Sequence, residues 1–142
     1  ELGGLHDNVL ATALEAKKRG HNVVVACRSG LFNDKLLDAG IKTIITDLNE
    51  YTDAMDEIKS VMGNNIDLIH CHPGSSRVVA MRLNKELNIP VIYHVHGGWV
   101  DSVNFYIDRV ESVFTVSESV KKKVVEKCGG YEYKVHVIPN YS

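Results

Sequence analysis

The chain has 142 residues, 44% of them hydrophobic, and a formal charge of −2 from 16 Lys+Arg against 18 Asp+Glu. These values describe an ordinary globular chain and exclude a disordered or fibrous protein, a basic nucleic-acid binder and a polycation aimed at anionic membranes. No apolar run approaches the ~20 residues a bilayer demands and no cationic start precedes an apolar block, so the expectation is one cytoplasmic domain over residues 1–142.

Glu1-Leu2-Gly3-Gly4 leads at once into helical periodicity, with Val9, Leu10, Ala13, Leu14 and Lys17 recurring at three and four. The spacing predicts a helix over Leu5–Arg19, with Lys17, Lys18 and Arg19 at the negative end of its dipole and Gly20 closing it. His21–Cys27 then reads as a strand, Asn33–Ala39 as a helix closed by Gly40, and Lys42–Asp47 as a second strand. A helix over Tyr51–Met62 closed by Gly63, a strand at Ile66–His70 and a helix at Ser75–Leu87 follow. Pro90 marks the start of a strand at Val91–Val95, because proline is tolerated at a strand's first residue and not in its middle. Strands at Ser112–Val116 and Val135–Ile138 flank a helix at Ser117–Cys128 closed by Gly129-Gly130. Most of these strands are too apolar to have a wet face, and their alternation with helices implies a buried parallel sheet.

The fold class is therefore α/β, a Rossmann-like three-layer sandwich with a mostly parallel sheet. Such a sheet needs an apolar strand ahead of the first helix; none precedes Gly3-Gly4, so the first strand is missing and both chain ends are expected to be cuts through a larger protein. Cys27, Cys71 and Cys128 are odd in number and lack a C-x-x-C spacing, which argues against a disulfide framework and a structural zinc site. Cys27 and Cys71 lie in apolar runs and are expected to pack as small hydrophobes.

Parallel sheets bind ligands outside the carboxyl ends of their strands, and four segments occupy such positions. Gly3 and Gly4 precede a helix whose unpaired N–H groups suit a phosphate, although a tight turn needs the same residues. His70-Cys71-His72 and His94-Val95-His96 close adjacent predicted strands, and residues two apart share a face, so either pair offers two ligands to one metal. No H-x-x-x-H or nearby acidic cluster completes such a set, so no metal site is expected, and His94 reads as a hydrogen-bonded interior histidine. His96 opens His96-Gly97-Gly98-Trp99, where glycines admit a ligand and an imidazole can donate, accept or transfer a proton. Ser117 reads as a helix N-cap with Glu118 as a favourable first-turn anion. Lys121-Lys122-Lys123 reads as a solvated helix face, and Trp99, Phe105 and Tyr106 as either an apolar wall or a lid over the core.

Taken in order, Gly3-Gly4, Lys18-Arg19-Gly20-His21-Asn22-Val23, Ile66-Asp67-Leu68-Ile69-His70-Cys71-His72, Ile89-Pro90-Val91-Ile92-Tyr93-His94-Val95-His96-Gly97, Val116-Ser117-Glu118 and Val137-Ile138-Pro139-Asn140 resemble the N-terminal domain of family 4 glycosyltransferases over the whole chain. The resemblance implies a GT-B enzyme of two facing Rossmann-like domains. Such an enzyme transfers a sugar from a nucleotide-sugar donor to a glycan or lipid-linked acceptor, with retention and with neither metal nor cofactor. It also implies that His96 is the catalytic histidine near the reacting sugar, that Gly3 and Gly4 face the donor diphosphate, and that His72, Gly97, Gly98 and Trp99 contact substrate. Leu5-His6-Asp7 departs from the small or acidic residue and arginine that many members carry there. The paired glutamates and the basic residues that hold the nucleotide belong to the family's C-terminal domain, so the resemblance implies a chain that is inactive alone. The alternatives are a stand-alone sugar- or nucleotide-binding module and a metal-dependent hydrolase built on the His-x-His pairs.

Overall fold

A computed structural model describes residues 4–97, 100 and 103–139. Its elements run α1 (Gly4–Lys18), β1 (Val24–Cys27), α2 (Leu31–Asp38), β2 (Lys42–Ile45), α3 (Tyr51–Met62), β3 (Ile69–Cys71), α4 (Ser75–Leu87), β4 (Val91–Val95), β5 (Ser112–Thr115), α5 (Glu118–Val125) and β6 (Val135–Val137). Helices and strands thus alternate as the periodicity implies, except between β4 and β5, where the described residues contain only a 3₁₀ turn at Val103–Phe105. The chain divides into two compact units, one up to Asn64 and one from Asn65.

In the first unit β1 and β2 pair in parallel, Val24 opposite Lys42 through Cys27 opposite Ile45. Ala13, Leu36 and Ile41 form the buried centre, with Leu10, Val23, Val25, Cys27, Phe32 and Ala39 packed around it. β1 begins at Val24 and not at His21 because α1 ends in a Schellman turn: His21 N–H bonds to Ala16 O at 3.1 Å and Gly20 N–H to Lys17 O at 3.0 Å. α2 closes in the same way, Ile41 N–H to Leu36 O at 2.9 Å and Gly40 N–H to Leu37 O at 3.0 Å. Both turns require a left-handed residue, met by Gly20 at φ 92° and Gly40 at φ 80°. Lys17 Nζ donates to Gly40 O at 2.6 Å, which ties the two helix ends together.

In the second unit four parallel strands lie in the order β3-β4-β5-β6. Successive side chains of a strand point to opposite faces. Cys71, Val91, Tyr93, Val95, Val113 and Val135 face a core completed by Ala80 and Met81 of α4, Val120 and Val124 of α5, and Val100, Val103, Tyr106, Ile107 and Val110. Tyr93 is fully buried and meets Tyr106 edge-on, ring centroids 5.1 Å apart. Lys134 donates to Ile107 O, Asp108 O and Val110 O at 3.0, 3.1 and 2.9 Å, closing the segment that leads into β5.

β3 starts at Ile69 where the sequence predicts Ile66. Ile69 N–H bonds to Pro90 O, and in this register Leu68 stands beside Pro90, which has no N–H to extend the ladder. Cys71 is buried and Cys27 is partly buried, so only the former packs wholly as a core residue. No helix among the described residues is long and apolar enough to cross a membrane.

Candidate functional site

Adjacent strands β3 and β4 run parallel with Ile69 opposite Val91 and Cys71 opposite Tyr93. The alternation that sends Cys71, Tyr93 and Val95 into the core sends His70 and His94 to the other face, where both rings lie edge-on to Phe114 of β5, with centroids 6.0 and 5.9 Å away. His72 and His96 follow directly on the carboxyl ends of the two strands. The four imidazoles make one ladder. His70 Nε2 and His94 Nδ1 share a hydrogen bond at 3.0 Å, and His72 Nδ1 and His96 Nε2 share one at 2.9 Å. Ring centroids are 4.2 Å apart for His94 and His96, 5.0 Å for His72 and His96, and 5.2 Å for His70 and His72.

Burial holds the ladder neutral. Loss of solvent, with His96 as the neighbouring charge, pushes His70 down to about 4; the same loss, with His96 and His70 as neighbours, pushes His94 down to about 3. His72 is lowered further still by burial and then by the other three rings, and burial also lowers His96. Each ring therefore carries one N–H and one lone pair at neutral pH, and one member of each bonded pair donates while the other accepts. His94 is 2% exposed, and its Nε2 is buried with no hydrogen-bond partner. Orphaned buried donors are rarer than orphaned acceptors, so we assign His94 the tautomer that donates from Nδ1 to His70 and leaves Nε2 a bare lone pair.

The structure brings together His72 and His96, which the sequence singled out, and adds His70 and His94 as their neighbours. His72 is further fixed by its own amide, which donates to Ser76 Oγ at 3.1 Å in the turn that starts α4. Gly97 follows His96, and among the described residues a Cβ there would meet nothing within 4 Å. Gly4 begins α1 in the first unit. Gly3, Gly98 and Trp99 lie outside the described residues. Ser117 is the expected cap: its Oγ accepts from Val120 N–H at 3.2 Å. The proposed aromatic group separates, since Tyr106 is buried at 3% exposure whereas Phe105 is 77% exposed. His70 and His94 were visible in the sequence only as halves of separate pairs; the signal that joins them is the placement of the two pairs at the ends of neighbouring parallel strands.

The sequence profile of Glycosyltransferase Family 4 matches residues 2–141. Two solved structures share the fold. Anabaena HepE, in complex with UDP-glucose, superposes with a TM-score of 0.82 at 17% identity, covering 100% of this chain and 42% of its own. A glycosyltransferase from Rickettsia africae superposes with a TM-score of 0.70 at 22% identity, covering 96% of this chain and 39% of its own. A search of curated protein sequences finds no match to this chain. The chain thus spans about two fifths of the length of either solved structure.

Proposed function

The chain belongs to Glycosyltransferase Family 4, and from that premise we propose that it is the acceptor-side half of a two-domain GT-B enzyme that transfers a sugar, with retention, from a nucleotide-sugar donor to a glycan or lipid-linked acceptor. The observation that carries this reading is the neutral His72–His96 pair at the carboxyl ends of β3 and β4, followed at once by Gly97. A neutral imidazole can donate to or accept from a sugar hydroxyl without the desolvation cost of an ion, and the bond to His72 fixes which nitrogen of His96 faces the ligand. His96 is then the residue beside the reacting sugar, and His72 both orients it and contacts substrate. Gly3 and Gly4, where α1 begins, are assigned to the donor diphosphate, since a helix N-terminus offers free backbone amides; Gly98 and Trp99 are assigned to further substrate contacts.

The UDP-glucose held by HepE supports a nucleotide-sugar donor. The coverage of only 42% and 39% of the solved structures supports a further domain that supplies the nucleotide contacts, so the 142-residue chain alone is inactive. Thiol cysteines at 27, 71 and 128 are in keeping with a cytoplasmic enzyme.

The test is transfer, or donor hydrolysis, by the full-length protein presented with a panel of nucleotide sugars. His96→Ala is expected to lower kcat by about 10²–10³ while circular dichroism is unchanged. Unaltered turnover in that variant removes His96 from the mechanism, and absence of sugar release from every donor overturns the transferase reading.

A further inference from the structure

The sequence argued against a metal because neither His-x-His pair had a third ligand. The fold supplies it from the next strand. One ring nitrogen from each of His70, His72 and His94 lies within 4.8 Å of the others. We propose that these three histidines form a binding site for a borderline transition-metal cation, zinc first, that no step of the transfer reaction uses.

Two observations support the site independently of the transferase reading. The donor set is all imidazole with no carboxylate, a combination that selects zinc, copper or nickel over magnesium or calcium. His94 carries a buried ring nitrogen with no partner, and a metal is one of the few groups that can satisfy a lone pair there. Zinc–nitrogen bonds of about 2.0–2.1 Å in a tetrahedron set neighbouring nitrogens about 3.4 Å apart, so gaps of up to 4.8 Å close by at most about 1.4 Å. His70, on β3, and His72, just past its end, are only partly buried whereas His94 is buried, so the movement falls to the first two rings, and the bond between His70 Nε2 and His94 Nδ1 gives way to the metal. Three ligands leave a fourth position open, the arrangement of zinc sites that hold water or an exchangeable ligand. Binding through His72 Nδ1 takes away the nitrogen that His96 Nε2 now has at 2.9 Å, whereas binding through His72 Nε2 fixes Nδ1 as the donor in that bond.

The test is titration of the untagged chain with Zn²⁺ and Co²⁺, read by calorimetry, by the visible spectrum of Co²⁺ and by nitrogen chemical shifts of ¹⁵N-labelled histidine. One equivalent should bind, with a tetrahedral Co²⁺ spectrum and with the shifting nitrogens belonging to His70, His72 and His94. His94→Gln and His72→Gln should each weaken binding at least about tenfold, whereas His136→Gln, an exposed histidine of the same sheet, should not. The proposal is overturned by absence of saturable binding, by shifts confined to His6, His21 or His136, or by unchanged affinity in His94→Gln. The shifts are read on the unsubstituted protein, so the outcome stands even where a variant misfolds.

Discussion

Tyr93 and His94 are consecutive in β4, are both buried, and do opposite work. Tyr93 fills the core against Tyr106, and Tyr93→Ala should cost about 3–5 kcal/mol in urea denaturation, from lost burial plus the cavity left behind. His96→Ala removes a partly buried ring past the end of the strand and leaves His72 Nδ1 without its partner, so it should cost about 1–3 kcal/mol in urea while lowering kcat of the full-length enzyme by about 10²–10³; the paired measurement separates packing from chemistry. Ser117→Ala should cost about 1 kcal/mol by thermal melting, the usual worth of a capping oxygen. The cap was legible in the sequence because it depends on residues three apart. The bond between His70 and His94 was not, because it depends on the register of two strands 24 positions apart, which no local pattern encodes.

At the scale of elements, the strands and helices were legible wherever apolar period and glycine punctuation agreed, as in α3, predicted and found at Tyr51–Met62. The differences came from backbone geometry: the Schellman turn delays β1 and the missing N–H of Pro90 delays β3. The turns at Val103–Phe105 and Glu132–Lys134 were missed since three residues carry no periodicity. The two helix-ending glycines make a graded prediction. Gly20→Ala should destabilise by about 1–2 kcal/mol, the cost of a Cβ at positive φ where nothing else is near. Gly40→Ala should cost the same plus only the small loss of an exposed bond, since the Lys17 amine that its Cβ would meet at 2.9 Å ends a flexible side chain that can swing away from Gly40 O. Comparison of the two midpoints in urea checks the order. Lys134→Met should also destabilise, by about 1–3 kcal/mol, since it leaves three carbonyls short of a charged donor.

At the scale of the whole molecule, the imidazole ladder links folding to pH. His70 and His94 titrate at about 4 and about 3 in the folded chain against 6.5 when unfolded, and His72 lies lower again, so the unfolded chain takes up protons first as pH falls. Stability of the metal-free chain should be level above pH 6.5 and fall steadily from there toward pH 4, measured as the urea midpoint at each pH; a midpoint constant over that window would contradict the depressed values. Calorimetry of the 142-residue chain against nucleotide sugars should give little heat, whereas a protein extended to the length of its structural relatives should bind; strong binding by the short chain would instead favour a stand-alone module. The α/β class was legible in the sequence, but the division into two compact units at Asn64 was not, since no change of composition marks it.

The separation of core and histidine ladder onto opposite faces of one sheet bears on how such a protein can diversify. Along β4, every second position answers to packing and the intervening ones answer to whatever lies against the other face. Ile92 and His136 share the second set by register and neither is buried, so natural drift or a mutagenic library can sample them while the hydrophobic foundation is inherited unchanged. A lineage built this way is free to explore new ligands at positions that its folding does not veto.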